Sequence, residues 1–519
     1  MPVLAGSRPG SSLRQPSFVR TWAAFSLLLT ALTVLWSLAT PVPSGPDEPT
    51  QYVKSAAVAA GQVTGTHPAG SPRFDTQVQV PAAVAQLAAG TDCYYGHPDV
   101  GAGCAPRQFG PAGRALAVTY VGRYPPLYYA LTGLPSLVSA GRLSLHAMRA
   151  VSALIGSLVL GLAFATAVRW SRSRFLLPAL SLAVTPEAIY LLSVVNPNGF
   201  EIVAAAALWT SATILLCEQS HDPPPALVAV AVVSALLLTF TRPLSPGWAV
   251  TILASLVVLR PSAARRLLTS SCARWGITVI AMGLALSAAY VLAERSYEVE
   301  SFPLPPGTTT AQITRLVILA VPGYLTDLFG AYGSPDTTAP LVVVLTWGVA
   351  LTVLVGVALA LARRYDAAVL TGLTAAFLVV LPLAADALTA RSHGVVWQGR
   401  YEYPLAIGIP IVAAALIAQR AAPVSQAAAV LAPATACLGL LASYYWVFHR
   451  YAVGLAGPLN PLRDTPGAWR PPVPARLLLP LTLVTTVAYA ITVHRSCRPS
   501  PATIRQASAQ RGGHDGSSG

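Results

Sequence analysis

Five short polar stretches carry the residue types able to do chemistry. In Ser44–Tyr52 the acids Asp47 and Glu48 stand side by side, straight after an apolar run. Adjacent carboxylates repel each other and lose water at a membrane boundary, which raises one pKa as a general base requires. Simple capping of a helix entered at Pro49 explains the same pair. Arg123 and Tyr124 precede Pro125-Pro126-Leu127-Tyr128-Tyr129; an arginine at headgroup depth binds phosphate in bidentate fashion or serves as an interfacial anchor. Asn196-Pro197-Asn198-Gly199-Phe200-Glu201 makes a turn, but Glu201 falls in the first turn of an apolar helix, where an acid faces a wet cavity or a partner. Thr241-Arg242-Pro243 puts an arginine in a tight turn between two short apolar runs, which reads as an anion site. Gln398-Gly399-Arg400-Tyr401 enters a late apolar run, as an aromatic belt with a snorkelling arginine would. Taken together, these stretches bring Arg123, Arg242 and Arg400 to one depth with Asp47, Glu48 and Glu201. An enzyme acting on a phosphate-bearing lipid needs such donors, with a base beside the incoming hydroxyl.

What must position these residues is a bundle of membrane helices. The chain has 519 residues, 54% hydrophobic and only 10% charged, with mean hydropathy +0.59. A soluble domain is about 25% charged, so a cytosolic, disordered or nucleic-acid-binding protein is excluded. The formal charge is +14, with Lys54 the only lysine; that excess reads as topology rather than as a nucleic-acid surface. Runs long enough for a bilayer, roughly 20 residues each, fall at Trp22–Ala39, Ala147–Val168, Phe175–Val195, Ile202–Leu216, Ala226–Phe240, Trp248–Leu259, Trp275–Leu292, Leu341–Leu361, Ala367–Ala385, Pro404–Ala418, Ala427–Phe448 and Leu477–Val493. The expectation is an all-α polytopic integral membrane protein with about 12 spans, the first retained as an anchor.

Pro125–Ala140 is apolar but too short to span, with Pro135 inside it, so it reads as re-entrant or interfacial. The connections carrying Arg169/Arg172/Arg174, Arg260/Arg265/Arg266/Arg274, Arg363/Arg364, Arg420 and Arg495/Arg498 then share the side of the amino-terminal tail, the positive-inside pattern. That assigns a plasma-membrane protein with cytoplasmic tails at 1–20 and 496–519, a membrane domain at 21–495 and an extracytoplasmic site. The roof of the site is expected from a first outer loop at 40–146, with juxtamembrane helices, and a second outer segment at 293–339. The helix after Pro49, with Lys54 on its polar side, suits an interfacial position.

Cys93 and Cys104 enclose a Gly/Asp/Tyr-rich stretch in the first outer loop, where an oxidising compartment favours a disulfide. No phosphate-binding glycine loop, metalloprotease motif, nucleophile elbow, paired CxxC or dinucleotide fingerprint is present, and no metal-ligand set is visible. Neither metal nor other cofactor is expected.

Gly45–Tyr52, Arg123–Tyr129, Asn196–Glu201, Leu328–Thr337 and Gln398–Tyr401, in this order, resemble the DUF2142 family of predicted membrane proteins, common in actinobacteria. Gln51 departs from that pattern, standing where the family usually has histidine. The family in turn resembles the GT-C superfamily of polytopic glycosyltransferases. That resemblance implies an inverting transfer of sugar from a polyprenyl-phosphate donor to an extracytoplasmic cell-envelope glycan or glycolipid, with Asp47 or Glu48 as base. Arg242, Arg400 and Arg123 would hold the donor phosphate. Lys54, Tyr124, Tyr128, Asn196, Asn198, Glu201, Gln398 and Tyr401 complete the expected substrate-binding set. The alternatives are a flippase or transporter of lipid-linked sugars, which should carry ionisable groups near the midplane, and a non-catalytic subunit of an envelope-assembly complex.

Overall fold

The structure, a computed structural model, describes residues 17–89, 93–105, 113–139, 141–172, 175–219, 222–298, 302–420, 426–462 and 466–497. Most of both expected tails, with Arg174 and Arg498, lies outside the described residues. The first helix starts at Phe18 and the last ends at Cys497, so the helical part is slightly longer at both ends than 21–495.

The protein is an all-α polytopic membrane protein. Among the described residues, nine helices are long and apolar enough to cross a membrane. Two bent pairs bring that to eleven: Leu176–Ala183 with Pro186–Ser193, at 62°, and Ser245–Leu259 with Pro261–Leu267, at 111°. Each of the twelve expected runs is helical, but not each is one straight span. Pro186 and Pro261 open new helices at the bends, since proline has no N–H for the ladder and fits only the first turn. Pro225–Thr239 is apolar but only 15 residues long.

At the centre runs Pro197–Thr213, buried along its whole length and continued by a π-helical turn at Ile214–Glu218. Arg142–Trp170 packs against it and along Phe18–Leu38. The last two helices come close because a Cβ at Gly161 would meet the Ser26 hydroxyl at 2.3 Å. Small residues of this kind permit the dense contact that membrane helices rely on, and Phe25 stacks on Phe164 beside it at 4.7 Å.

Between Phe18–Leu38 and Arg142–Trp170 the chain builds a small cap. Helix Glu48–Ala59 packs against an antiparallel two-stranded sheet of Thr76–Pro81 and Arg114–Thr119, paired from Thr76↔Thr119 to Pro81↔Arg114. Short helices follow at Leu127–Thr132 and Pro135–Val138. The expectation of an interfacial helix after Pro49 is corrected: Glu48–Ala59 is buried on nearly every side, because this sheet, Ala82–Ala89 and Leu127–Thr132 all pack on it. The segment 302–339 holds helix Thr310–Asp327 and a hairpin of two-residue strands, Ala331–Tyr332 with Thr337–Thr338.

Candidate active site

The loop from Pro41 to Asp47 is held by side chains from distant parts of the chain. Arg149 donates to the Pro41 carbonyl, Tyr94 to Pro43, Tyr190 and Tyr451 to Ser44, Tyr95 to Gly45 and Asn196 to Pro46. A buried loop is stable only when its backbone groups are satisfied, and here nearly every carbonyl has its own donor. Gly45 is required, since a Cβ there would meet Val194 at 2.7 Å.

This loop sends its two carboxylates in different directions. Glu48 is fully buried and opens the helix. Its oxygens accept from Arg149 Nε and Nη2 at 2.7 and 2.6 Å and from the backbone N–H groups of Ser44, Gly45 and Val195. Burial pushes the Glu48 carboxyl up, but the Arg149 charge and these donors outweigh it and hold the group below its ordinary range. Arg149 itself is fully buried and also donates to Ser37, Thr40 and Ser44.

Asp47 stands at the N-cap position with φ 55°, in the left-handed region that aspartate tolerates better than most residues. Its side chain does not cap the helix. Instead Oδ2 accepts from Arg400 Nη2 at 2.7 Å and Oδ1 from the Tyr120 hydroxyl at 2.7 Å. The side chain remains 35% exposed, so this acid can be reached from outside.

Arg400 enters from the first turn of Gly399–Ala406 and is 3% exposed. Two of its three nitrogens, Nε and Nη1, are buried and find no hydrogen-bond partner among the described residues. The Tyr401 ring lies 5.3 Å from the Arg400 guanidinium carbon and 5.2 Å from that of Arg242. Both cations therefore share one aromatic ring. Arg242 donates from Nη1 to Asn198 Oδ1 and to Glu201 Oε2, at 3.1 Å for the latter. The Ser245 hydroxyl donates to Glu201 Oε1. Arg242 Nε has no partner among the described residues either. Tyr124 adjoins Arg242, and burial pushes its hydroxyl up to about 12. Asn196 caps Pro197–Thr213 by accepting from the Asn198 backbone N–H, and its own amide grips Pro46. Gln398 Oε1 is buried with no partner among the described residues.

Asp47, Arg400, Tyr401, Arg242, Asn198, Glu201 and Tyr124 thus come together, whereas Glu48 turns to Arg149, and Arg123, Lys54 and Tyr128 find partners elsewhere. Arg123 is a correction: its Nη1 donates to Glu298 at 2.8 Å and lines a separate cavity of about 660 Å³ with Arg73, Glu294 and Arg295. In the turn after Thr119, consecutive residues diverge, so Tyr124 faces Arg242 while Arg123 faces away. Lys54 donates to the carbonyls of Val63 and Gly122 beneath the Tyr129 ring; desolvation depresses its pKa to about 7. Tyr128 bonds Ser152 in the core.

Sequence reasoning missed Arg149 and Arg450. Arg149 carried a usable signal, a lone arginine inside an apolar helix, which needs a buried partner. Arg450 donates to Asp336 at 2.8 Å and to the carbonyls of Tyr94, His97 and Val100. It joins the Leu328–Thr337 stretch to the loop closed by the Cys93–Cys104 disulfide.

Fold and site define a polytopic membrane protein in which a small cap folds a reachable acid onto paired arginines. The chain belongs to the DUF2142 family of predicted membrane proteins, whose profile matches residues 29–409. Two solved structures of ArnT from Cupriavidus metallidurans are similar to the chain over 92% and 93% of its length and 76% of theirs. One is bound to undecaprenyl phosphate, with TM-score 0.42 and 13% identity; the other is in the apo state, with TM-score 0.44 and 14% identity. Comparison with curated proteins returns no match.

Proposed function

We propose that the protein is a membrane glycosyltransferase that moves a sugar from a polyprenyl-phosphate donor to a hydroxyl of an extracytoplasmic envelope glycan or glycolipid. The observation that carries this reading is the pair Asp47–Arg400. The acid is about one-third open to solvent, while the cation holding it keeps two buried nitrogens without partners among the described residues. Leaving buried donors unpaired costs roughly 1–3 kcal/mol each, a cost that an oxyanion in the site would remove.

In this mechanism a phosphate oxygen of the donor takes the vacant N–H groups of Arg400 and Arg242. Asp47 accepts the proton of the acceptor hydroxyl, whose oxygen attacks the anomeric carbon from the face opposite the phosphate. The C1–O bond breaks, polyprenyl phosphate leaves with the electron pair, and the sugar is inverted. Negative charge grows on the departing phosphate, and preorganised cations stabilise it most where water is excluded. Glu48 serves as the structural anchor of the loop rather than as the base. Glu201 and Asn198 orient Arg242, and Tyr401 supports both guanidinium groups.

The test is transfer of radiolabel from a polyprenyl-phosphate sugar to a panel of envelope glycans by purified protein. Label should reach an acceptor with inverted configuration and fail to do so in Asp47→Asn. Retained configuration, or movement of intact donor across the bilayer without transfer, would contradict the reading.

A further inference from the structure

We infer that Tyr95 is a positioning residue for Asp47, brought into place by the Cys93–Cys104 loop; the inference rests on Asp47 being the base. Asp47 is held at positive φ, a conformation costly for a side chain other than glycine, so surrounding contacts must impose it. Its backbone N–H donates to the Tyr95 hydroxyl at 3.2 Å, and that hydroxyl donates onward to the Gly45 carbonyl at 3.3 Å. One hydroxyl thus ties the two sides of the Gly45-Pro46-Asp47 turn, using both its donor and its acceptor capacity. Burial holds the phenol protonated, as the donor role requires.

The neighbours of Tyr95 explain how it is delivered. Tyr94 donates to the Pro43 carbonyl on the same loop, two residues before Gly45. Cys93 precedes them and is bonded to Cys104, closing a loop of sequence separation 11. From inside, Arg450 donates to the carbonyls of Tyr94, His97 and Val100, while Asp336, its ion-pair partner, accepts from the Gly96 N–H at 3.0 Å. The loop is therefore pinned at its disulfide and along its backbone, and it presents two tyrosines to the catalytic turn. Glu48 fixes the helix side of that turn; Tyr95 fixes the Asp47 side.

The experiment uses the full chain in lipid nanodiscs, comparing wild type, Tyr95→Phe and Tyr94→Phe, with wild type also reduced by a phosphine. In that reduction the disulfide takes two electrons and two protons, yielding two thiols, while phosphine and water give phosphine oxide. Hydrogen exchange of peptides spanning 43–52, kcat and donor KM are measured. Tyr95→Phe should raise exchange at Asp47 and lower kcat roughly 10- to 100-fold, the scale of a misplaced reactive group, with donor KM within about twofold. Reduced wild type should move the same way and recover on reoxidation, and Tyr94→Phe should change kcat less. Unchanged exchange in Tyr95→Phe overturns the inference whatever the activity. Equal losses of kcat in both variants, with the thermal midpoint falling in step, overturn it as well. Exchange that rises while wild type transfers no sugar supports the clamp and overturns the catalytic reading of Asp47.

Discussion

Asp47 and Glu48 are adjacent in sequence, yet their conservative amides should fail in opposite ways. In Glu48→Gln the new side chain keeps its size but loses the charge opposite Arg149, which is fully buried. Of the five hydrogen bonds reaching Glu48, at least one must then face an amide N–H instead of an oxygen. Breaking a buried ion pair at one partner costs about 3–5 kcal/mol. Asp47→Asn removes a charge from a carboxylate that is 35% exposed but keeps an acceptor oxygen for Arg400, which is itself 3% exposed, so the loss should lie between that of a surface pair and that of Glu48→Gln. The same change deletes a general base, for which the loss is about 10²–10⁴-fold in rate. Thermal unfolding in detergent, followed by tryptophan fluorescence, should therefore show Glu48→Gln well below wild type and Asp47→Asn between the two. Transfer assays should show Asp47→Asn folded but inactive, and any Glu48→Gln that survives purification still able to turn over. A Glu48→Gln protein as stable as wild type but without activity, beside an active Asp47→Asn, would refute the division of roles.

Three further outcomes follow from the same geometry. Arg400→Lys should lower transfer on the order of 10²–10³-fold, because an ammonium cannot both hold Asp47 and supply the planar donors that phosphate needs; wild-type kcat and KM in this variant would contradict it. Tyr401→Leu removes the ring shared by two guanidinium groups, each contact worth roughly 0.5–2 kcal/mol, so donor KM should rise about tenfold with little change in fold, as titration of transfer rates against donor would show. Lys54 titrates near 7 when folded and near 10.5 when unfolded. The unfolded state thus binds the extra proton between those values, so this residue's contribution to stability rises as pH increases from 7 toward 10. Denaturation at several pH values should show that slope in wild type and a flatter one in Lys54→Met.

The helical content was legible because the bilayer demands long apolar runs, and Leu341–Leu361 is helical over the range read from sequence. Breaks within runs were less legible: Pro186 sits inside Phe175–Val195 and turns one apparent span into two helices. At the site, Arg242, Arg400 and Asp47 were legible as charges at helix ends. Their partners were not, since sequence spacing does not say which way successive residues of a turn face. Arg123 and Tyr124 diverge for that reason. Asp47 escapes its expected capping role because its backbone takes a left-handed turn and its contacts with Tyr95, Arg400 and Tyr120 come from distant parts of the chain. The tertiary bridges Arg149–Glu48 and Arg450–Asp336 join residues about a hundred positions apart, where local patterns are silent.

The most direct measurement is single-turnover transfer from radiolabelled polyprenyl-phosphate sugar in liposomes, with wild type, Asp47→Asn and Arg400→Lys side by side. The account predicts label on the acceptor for wild type, bound but unreacted donor for Asp47→Asn, and weakened donor binding for Arg400→Lys. Full-rate transfer by Asp47→Asn, or donor binding indifferent to Arg400, would contradict it.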